Sequence, residues 1–221
     1  MAMTSINAAD LIELFKTWKT LFAEQREFLI ALDGKVGDSD LGITMSKAFA
    51  AAAEALEAEG EGAGIAKLLR TAGATMARTA PSTMGTLTAT GFLRASKAVE
   101  GKDVLGTAEL AAFWRAYRDG VGERGKAKLG DKTLIDVLEP IAATLEAQAS
   151  RGASLSEALK VAADAADQAL EATKSMVAQH GKAAAFQEKT VGLQDAGATV
   201  GCFLIRRMAD FVTDRSAGRE A

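Results

Sequence analysis

The sequence predicts an all-α protein, and three observations lead to this prediction. Alanine, leucine, glutamate and lysine are abundant, whereas only two prolines occur in 221 residues, a composition that favours helices. Apolar residues such as Leu11, Phe15 and Trp18 recur at three- and four-residue spacing almost from end to end. No stretch alternates apolar and polar residues as a half-buried strand does. No repeat period is present either, so we expect residues 1–221 to form a single domain.

The apolar periodicity and its interruptions predict eight helices. The seventh opens with Ser154-Leu155-Ser156-Glu157, a capping box in which serine and glutamate satisfy the free amides of a helix start. The expected helices run from about Ala8 to Leu32, Leu41 to Ala58, Gly64 to Arg78, Thr83 to Val99, Thr107 to Gly120, Lys132 to Ala149, Ser154 to Ala178 and Ala196 to Thr213.

The connections between these helices fall into two groups. Those after the second, fourth and sixth helices are short and carry no unusual residues. Those after the first, third, fifth and seventh are rich in glycine, aspartate, lysine and hydroxyl residues. Every odd-numbered connection of an up-and-down bundle lies at the same end, so we expect these four connections to meet at one rim. They comprise residues 33–40, 79–85, 122–132 and 181–197, and they predict a site at that end.

Three aspartates, Asp33, Asp38 and Asp40, lie within eight positions in the first of these connections. Clustered carboxylates raise one another's pKa unless a cation neutralises them. Oxygen ligands in a glycine-containing turn suit Mg²⁺, which binds few carboxylates and shares the rest of its shell with water and phosphate. A second interpretation stays open, in which Asp40 caps the second helix and the other two are solvated turn residues.

The other three connections offer groups that suit phosphate. Residues 79–86 bring small and hydroxyl side chains to the start of the fourth helix, where free amides and the helix dipole favour an anion. An ordinary helix start capped by Ser82 or Thr83 is the alternative. Two lysines between glycines in the third connection could close over a nucleotide or simply be solvated. Asp195 is equally a candidate cap for the eighth helix.

Several function classes are excluded by what the sequence lacks. The net charge is only -3, and no lysine and arginine stripe interleaves with aromatics, so we expect no nucleic-acid partner. We interpret Cys202, the single cysteine, as a small buried hydrophobe, and His180, the single histidine, as a residue at a helix C-terminus. Neither an eighteen-residue apolar run nor a signal-peptide core is present, so we expect a cytoplasmic protein without a membrane partner.

Three stretches stand out when the connections are considered together. They contain Gly-Asp-Ser-Asp at residues 37–40, Gly-Asp-Lys-Thr at residues 130–133 and Gln-Asp-Ala-Gly at residues 194–197. In order and spacing, across nearly the whole chain, they resemble the L-subunit family of dihydroxyacetone kinases. The resemblance implies an eight-helix antiparallel up-and-down barrel with a nucleotide site at one rim.

The resemblance also implies roles for individual residues. Two Mg²⁺ ions would be held by Asp33, Asp38 and Asp40 and would in turn hold ADP or ATP. The starts of the second and fourth helices would lie at the phosphates, a glycine and a leucine would border the adenine, and the last connection would close the site. The implied nucleotide-binding residues are Leu41, Gly42, Ile43, Thr44, Thr83, Met84, Gly85, Gly125, Leu134, Lys182, Asp195, Ala196 and Gly197.

The activity implied by the resemblance is that of a kinase subunit whose partner binds the sugar. A separate K-type subunit would hold a small ketose covalently through its own histidine, and the present chain would carry no catalytic residue beyond its metal ligands. The donor would be ATP itself, or a phosphotransferase-system phosphocarrier that rephosphorylates bound ADP. Two alternatives are a nucleotide-sensing regulator of a kinase or transcription factor, and a helical scaffold whose carboxylates are only caps.

The chain departs from the family pattern at several positions in these stretches and connections, among them Ala196, where a proline is usual between aspartate and glycine. Leu41 stands where a histidine usually follows the second aspartate of the Gly-Asp-x-Asp motif, Met84 where a serine is usual, and Leu193 where a second histidine is usual. The three aspartates are kept, whereas part of the phosphate-binding surface is altered. The sequence therefore leaves the ketose and the phosphoryl donor open.

Overall fold

The computed structural model describes residues 2–218, and that part of the chain contains nine α-helices and no β-strand. One isolated antiparallel bridge joins Ile6 to Leu105. Three segments of 3-10 helix lie in the connections, at Glu61–Ala63, Thr173–Ser175 and Lys182–Thr190. The helices are α1 Ala8–Glu24, α2 Arg26–Asp33, α3 Leu41–Glu59, α4 Ile65–Thr79, α5 Thr83–Ala98, α6 Thr107–Gly125, α7 Ile135–Ser150, α8 Leu155–Ala172 and α9 Ala196–Gly218.

The helices close into a barrel. Both α1 and α2 pack against α3, each later helix packs against the one before it, and α9 returns to contact α1. Because α1 and α2 follow one another along the same partner, together they occupy the place of the predicted first helix. The ring therefore has eight positions, and the prediction of an all-α up-and-down barrel is confirmed.

Aromatic side chains fill the middle of the barrel, and small residues let the helices approach. Phe22 stacks on Phe49 with ring centroids 4.4 Å apart, and Phe15 meets Trp18 edge to face at 5.0 Å. The indole N–H of Trp18 donates to the carbonyl of Leu204 in α9 at 3.1 Å, which satisfies the one polar atom of a fully buried side chain. On α8 the inward face consists mostly of alanine.

Two helix boundaries differ from the prediction for reasons of close packing. The predicted first helix is interrupted at Gln25, whose φ of -87° and ψ of 4° lie outside the helical range. At this interruption α3 comes very near, since a Cβ on Gly42 would stand 2.1 Å from the carbonyl oxygen of Arg26. The helix predicted to end at Gly120 continues to the end of α6, because Gly120 is not a stop signal but a contact point, with Arg94 Cγ 2.4 Å from where its Cβ would be.

Two helix ends confirm or correct the predicted caps. Ser82 caps α5 by accepting the amide of Gly85 at 3.0 Å. Ser154 likewise caps α8 by accepting the amide of Glu157 at 3.3 Å, but the returning glutamate half of the predicted box is not formed. Cys202 is 3% exposed, and burial raises the pKa of its thiol well above the usual range, as expected for a residue that packs as a hydrophobe.

No helix in residues 2–218 combines the length and the apolar character that crossing a bilayer would require.

Candidate functional site

A cavity of about 460 Å³ opens at one end of the barrel, and all four of the unusual connections contribute to its lining. Residues 36–38, 81–82, 132–133 and 180–183 belong to the lining, one group from each connection. Its volume lies within the range typical of small-molecule sites. The prediction that these connections meet at one rim is confirmed.

The three aspartates of the first connection come together at the edge of this cavity. One carboxylate oxygen from each of Asp33, Asp38 and Asp40 lies within 4.8 Å of the other two. Burial raises the pKa of Asp40, and the negative charge of Asp33 raises it further. These hard oxygen donors, which repel one another when ionised, fit a divalent cation such as Mg²⁺.

The structure tests one of the two interpretations of Asp40, that it caps the helix. This residue occupies the cap position of α3, but its side chain forms no capping hydrogen bond. The carboxylate of Asp33 instead accepts the amides of Asp40, at 3.0 Å, and Leu41, at 3.4 Å. The interpretation of Asp40 as the cap is therefore wrong, because the loop folds back far enough for Asp33 to reach the helix start.

The charged side chains that line the cavity do not balance. Four carboxylates, those of the aspartate cluster and Asp195, face two lysines, Lys132 and Lys182. Lys182 forms an ion pair with Asp38 across the mouth, so only part of the negative charge is neutralised. A phosphorylated ligand would enter this cavity only with a cation that offsets the remaining carboxylates.

Four helices begin at the cavity, which gives it positive ends of helix dipoles. The first residues of α3, α5, α7 and α9 all line it, namely Leu41, Thr83, Ile135 and Ala196. Amides of a first helical turn have no acceptor inside the helix, and in α5 Ser82 takes only that of Gly85. The amides of Thr83 and Met84 are thus available to an anion at the cavity.

Asp195 lies at the start of α9 and is strongly desolvated. Its carboxylate accepts the amide of Ala198 at 2.7 Å, which confirms it as the cap of α9, and its own amide donates to the hydroxyl of Thr173 at 3.1 Å. Burial raises the pKa of Asp195 to about 6, although the cap bond and the charge of Lys132 oppose this change. Part of the side chain faces the cavity, but protein atoms surround it on the other sides.

One wall of the cavity is apolar. It is built by Leu87 of α5, Val121 of α6, and Leu134 and Ile135 at the start of α7. Such a surface next to helix N-termini suits a flat ring attached to phosphates. Leu87 and Val121 were missed in the sequence. Leu87 could have been found because it lies three residues after Met84 on the same helix face, whereas Val121 lay beyond the predicted end of its helix.

Most of the residues implied by the family resemblance line the cavity, but four do not. Gly42 packs against the carbonyl of Arg26, Ile43 is 47% exposed, and Thr44 is buried. Gly85 approaches the carbonyl of Ala80, where a Cβ would stand only 1.9 Å from the oxygen. The residues that do line it are Asp33, Asp38, Asp40, Leu41, Thr83, Met84, Gly125, Leu134, Lys182, Asp195, Ala196 and Gly197.

The interpretation of His180 as a residue at a helix C-terminus is wrong. The predicted seventh helix ends at Ala172 rather than Ala178, so His180 lies in the connection between α8 and α9 and lines the cavity. Its Nε2 is 2.8 Å from a carboxylate oxygen of Asp131. Residues 173–178 contain neither glycine nor proline, so the sequence gives no sign that the helix stops. In the structure the carbonyl oxygens of Thr173 and Met176 accept hydrogen bonds from Lys132 instead of continuing the helix.

Comparison with known proteins gives a consistent set of relatives. The sequence matches the DAK2 domain family over residues 35–210. It is 32% identical over 205 residues to the "PEP-dependent dihydroxyacetone kinase, ADP-binding subunit DhaL" of Escherichia coli, covering 93% of this chain and 97% of that protein. It is 33% identical to the D-erythrulose kinase of Mycolicibacterium smegmatis, covering 92% of this chain but only 35% of that protein.

The fold has a counterpart among solved structures. The dihydroxyacetone kinase from C. freundii in complex with AMP-PNP and Mg²⁺ superposes with a TM-score of 0.70 at 25% identity, over 95% of this chain and 35% of that one. The chain therefore spans nearly the full length of the E. coli subunit and about a third of the length of the larger kinases.

Proposed function

Because the chain belongs to the DAK2 domain family, we propose that it is the nucleotide-binding subunit of a kinase that phosphorylates a small ketose. The observation that carries the proposal is the convergence of three aspartates, four helix N-termini and an apolar wall on one cavity. The chain matches the ADP-binding subunit of E. coli along nearly the whole length of both proteins. This match supports a separate K-type subunit as the part that holds the ketose.

The proposed nucleotide position follows from the chemistry of the lining. The adenine would lie on the apolar wall, bordered by Gly125 and Leu134. The phosphates would accept hydrogen bonds from the free amides of Thr83 and Met84 at the start of α5. Asp33, Asp38 and Asp40 would hold Mg²⁺ next to the phosphates. We propose that two ions bind there.

Phosphoryl transfer requires alignment and charge neutralisation more than covalent chemistry by the protein. Bound Mg²⁺ supplies positive charge to the phosphate oxygens and neutralises the charge that develops on them. The protein's own contribution is a preorganised field from helix N-termini and from Lys182. Once a cation neutralises Asp38, the ammonium of Lys182 is free to donate to a phosphate oxygen. The acceptor hydroxyl would come from the K-type subunit docked over the mouth of the cavity.

Thermal melting of the purified chain tests the site. We expect a large increase in melting temperature only when ADP and Mg²⁺ are present together, because the cation offsets the repulsion between the carboxylates and the phosphates, and the phosphates complete the ligand shell of the cation. A ligand at a hundred times its Kd stabilises the fold by roughly 2.7 kcal/mol. Asp38→Asn should abolish this increase while leaving the unliganded melting temperature nearly unchanged.

The matched control is Asp103→Asn, which changes an exposed aspartate between α5 and α6, at the other end of the barrel. This variant should bind ADP and Mg²⁺ as the wild type does. Normal binding by the Asp38 variant would contradict the metal assignment. Absence of any shift in the wild type, with no nucleotide retained after purification, would support a scaffold instead.

Reconstitution tests the transfer reaction and its donor. The chain, a K-type subunit and a small ketose should yield phosphorylated sugar from ATP, or from a phosphocarrier protein if the chain retains ADP. Nucleotide that survives purification and gel filtration would favour the phosphocarrier as donor, and rapidly exchanging nucleotide would favour ATP. Nucleotide binding without transfer to any small ketose would favour a nucleotide-sensing regulator.

A further inference from the structure

The connection between α8 and α9, residues 173–195, supplies part of the cavity lining but has almost no apolar core. Its buried side chains are those of Thr173, Ala178 and Thr190, and only one of these is apolar. A connection of this length that has only 3-10 segments and no apolar core would ordinarily be mobile. A different interaction must therefore hold it against the barrel.

The ammonium of Lys132 provides that interaction. Lys132 lies in an earlier connection, between α6 and α7, and is only 3% exposed. Its Nζ donates to carbonyl oxygens spread over the whole segment, at 2.8 Å for Thr173, 3.2 Å for Met176, 2.7 Å for Thr190 and 2.6 Å for Leu193. One buried charge thus replaces the core that the segment lacks, because hydrogen bonds to a charged donor are the stronger kind.

Neighbouring contacts tie the same two connections together. The main-chain carbonyl of Asp131 accepts the amide of Gln179 at 3.0 Å, and its carboxylate contacts His180. Asp136, in the first turn of α7, accepts two amides of the Lys132 connection at 2.6 and 2.7 Å. The connection that carries Lys132 is therefore itself held by hydrogen bonds to α7.

Lys132 borders the cavity, but its geometry does not suit a phosphate contact. An ammonium group has three N–H donors, and four carbonyl oxygens already surround this one. Lys132 also adopts a left-handed backbone conformation, with φ of 58°, which is unfavourable for a side chain of this kind. To reach a ligand the ammonium would have to leave all four acceptors.

We propose that Lys132 is a positioning residue that holds residues 173–195 over the cavity by engaging their carbonyl groups, and thereby places Lys182 and Asp195 for nucleotide binding. The part of this inference that concerns nucleotide affinity rests on the proposed function. The part that concerns the order of the segment does not, so each part has its own measurement.

Hydrogen exchange of the nucleotide-free protein measures the first part. In Lys132→Met, which keeps the length of the side chain and removes its charge, amide exchange in residues 176–194 should accelerate by roughly tenfold or more. Exchange in α5 and α6 should stay as in the wild type. The control is Lys189→Met, which removes an exposed lysine of the same segment and should leave the exchange pattern unchanged.

Nucleotide affinity and chemical rescue measure the second part. Loss of positioning should raise the Kd for ADP with Mg²⁺ by roughly tenfold or more in Lys132→Met. In Lys132→Ala, added n-propylammonium can supply the missing ammonium and should restore both the slow exchange and the affinity. Tetramethylammonium at equal concentration has the same charge but no N–H donor, and it should restore neither.

Three results would overturn the inference. Unchanged exchange in residues 176–194 would mean that Lys132 does not hold the segment. Weaker nucleotide binding without faster exchange would mean that Lys132 contacts the ligand directly. If the wild type binds nucleotide, and Lys132→Met shows faster exchange but normal affinity, then the order of the segment is not needed for the site.

A measurement on the wild type covers the case in which the variants do not fold. Acetylation by a lysine-specific reagent, followed by mass spectrometry of the nucleotide-free protein, should modify Lys189 quickly and Lys132 very slowly. Comparable rates at the two lysines would contradict the enclosed ammonium. If the wild type shows the expected protection but binds no nucleotide, the proposed function fails while the structural role of Lys132 stands.

Discussion

Replacing Asp195 by asparagine changes the charge at the cavity while keeping the shape of the side chain. Burial raises the pKa of this carboxyl from its usual 3.8 to about 6, and one pKa unit corresponds to about 1.4 kcal/mol. The ionised carboxylate therefore destabilises the folded chain by at most about 3 kcal/mol near pH 7, an upper value because water in the cavity reaches part of the group. Asparagine avoids this penalty and still caps α9 through its amide oxygen.

The pH dependence of this effect has a definite sign. The folded chain binds a proton at Asp195 more tightly than the unfolded chain does, so wild-type stability falls as the pH rises from about 4 to about 6. Asp195→Asn has no such proton. The stability advantage of the variant should therefore be close to zero at pH 4, grow through this window, and remain constant above pH 7.

Thermal or urea unfolding of the nucleotide-free protein at pH 4.5 and pH 7.5 measures this difference. A change of 1 kcal/mol shifts the melting temperature of a chain of this size by roughly 2–4 °C, so the expected advantage at the higher pH is readily measured. Asp210→Asn, at an exposed position of the same helix, serves as the control and should behave like the wild type at both values. A variant that is no more stable than the wild type at pH 7.5 would refute the reasoning that the ionised carboxylate is destabilising.

Two further predictions concern the start of α5 and the aspartate cluster. Gly85→Ala should lower stability by about 1–3 kcal/mol in urea unfolding, because the new Cβ would stand 1.9 Å from the carbonyl oxygen of Ala80, whereas Gly62→Ala, with open space around its Cβ, should be neutral or slightly stabilising. Without metal, Asp33→Ala should cost about 1 kcal/mol because two amides at the start of α3 lose their acceptor. Asp38→Ala should cost roughly 0.3 kcal/mol or less, because solvent screens its exposed ion pair with Lys182. Equal losses in the two aspartate variants would contradict the capping role of Asp33.

The position of the site was predictable because it depends on topology rather than on fine detail. Helical periodicity gives the number of times that the chain crosses the barrel, and this number decides which connections share an end. The interruption at Gln25 did not change the result, because α1 and α2 pack along the same neighbour and the chain does not turn back there. An error that added or removed a reversal would have separated the four connections.

The helix boundaries were less predictable than the position of the site, since the same type of residue can end a helix or lie inside one. Gly120 looks like a helix stop in the sequence, yet in the structure it allows α6 to approach Arg94 closely. Residues 173–178 contain neither glycine nor proline, so nothing in the sequence stops α8 at Ala172, yet the chain leaves the helix there. Local propensity decides neither case, because in both the deciding partner is distant in sequence.

Lys132 shows most clearly what a single sequence leaves undetermined. A lysine between aspartate and threonine in a glycine-containing loop is ordinarily an exposed residue, and nothing nearby in the chain indicates that four carbonyl acceptors, the last of them at Leu193, will surround it. Burying an ammonium is unfavourable unless such acceptors are in place, and the burial lowers the pKa of Lys132 even with the carboxylate of Asp195 nearby. The charge and the segment that it orders therefore depend on one another: without the ordered carbonyls the lysine would return to solvent, and without the lysine the carbonyls would have no common partner. The order of one side of the cavity therefore depends on a single ammonium group. This dependence explains how a connection with almost no apolar core can hold Lys182 and Asp195 at fixed positions.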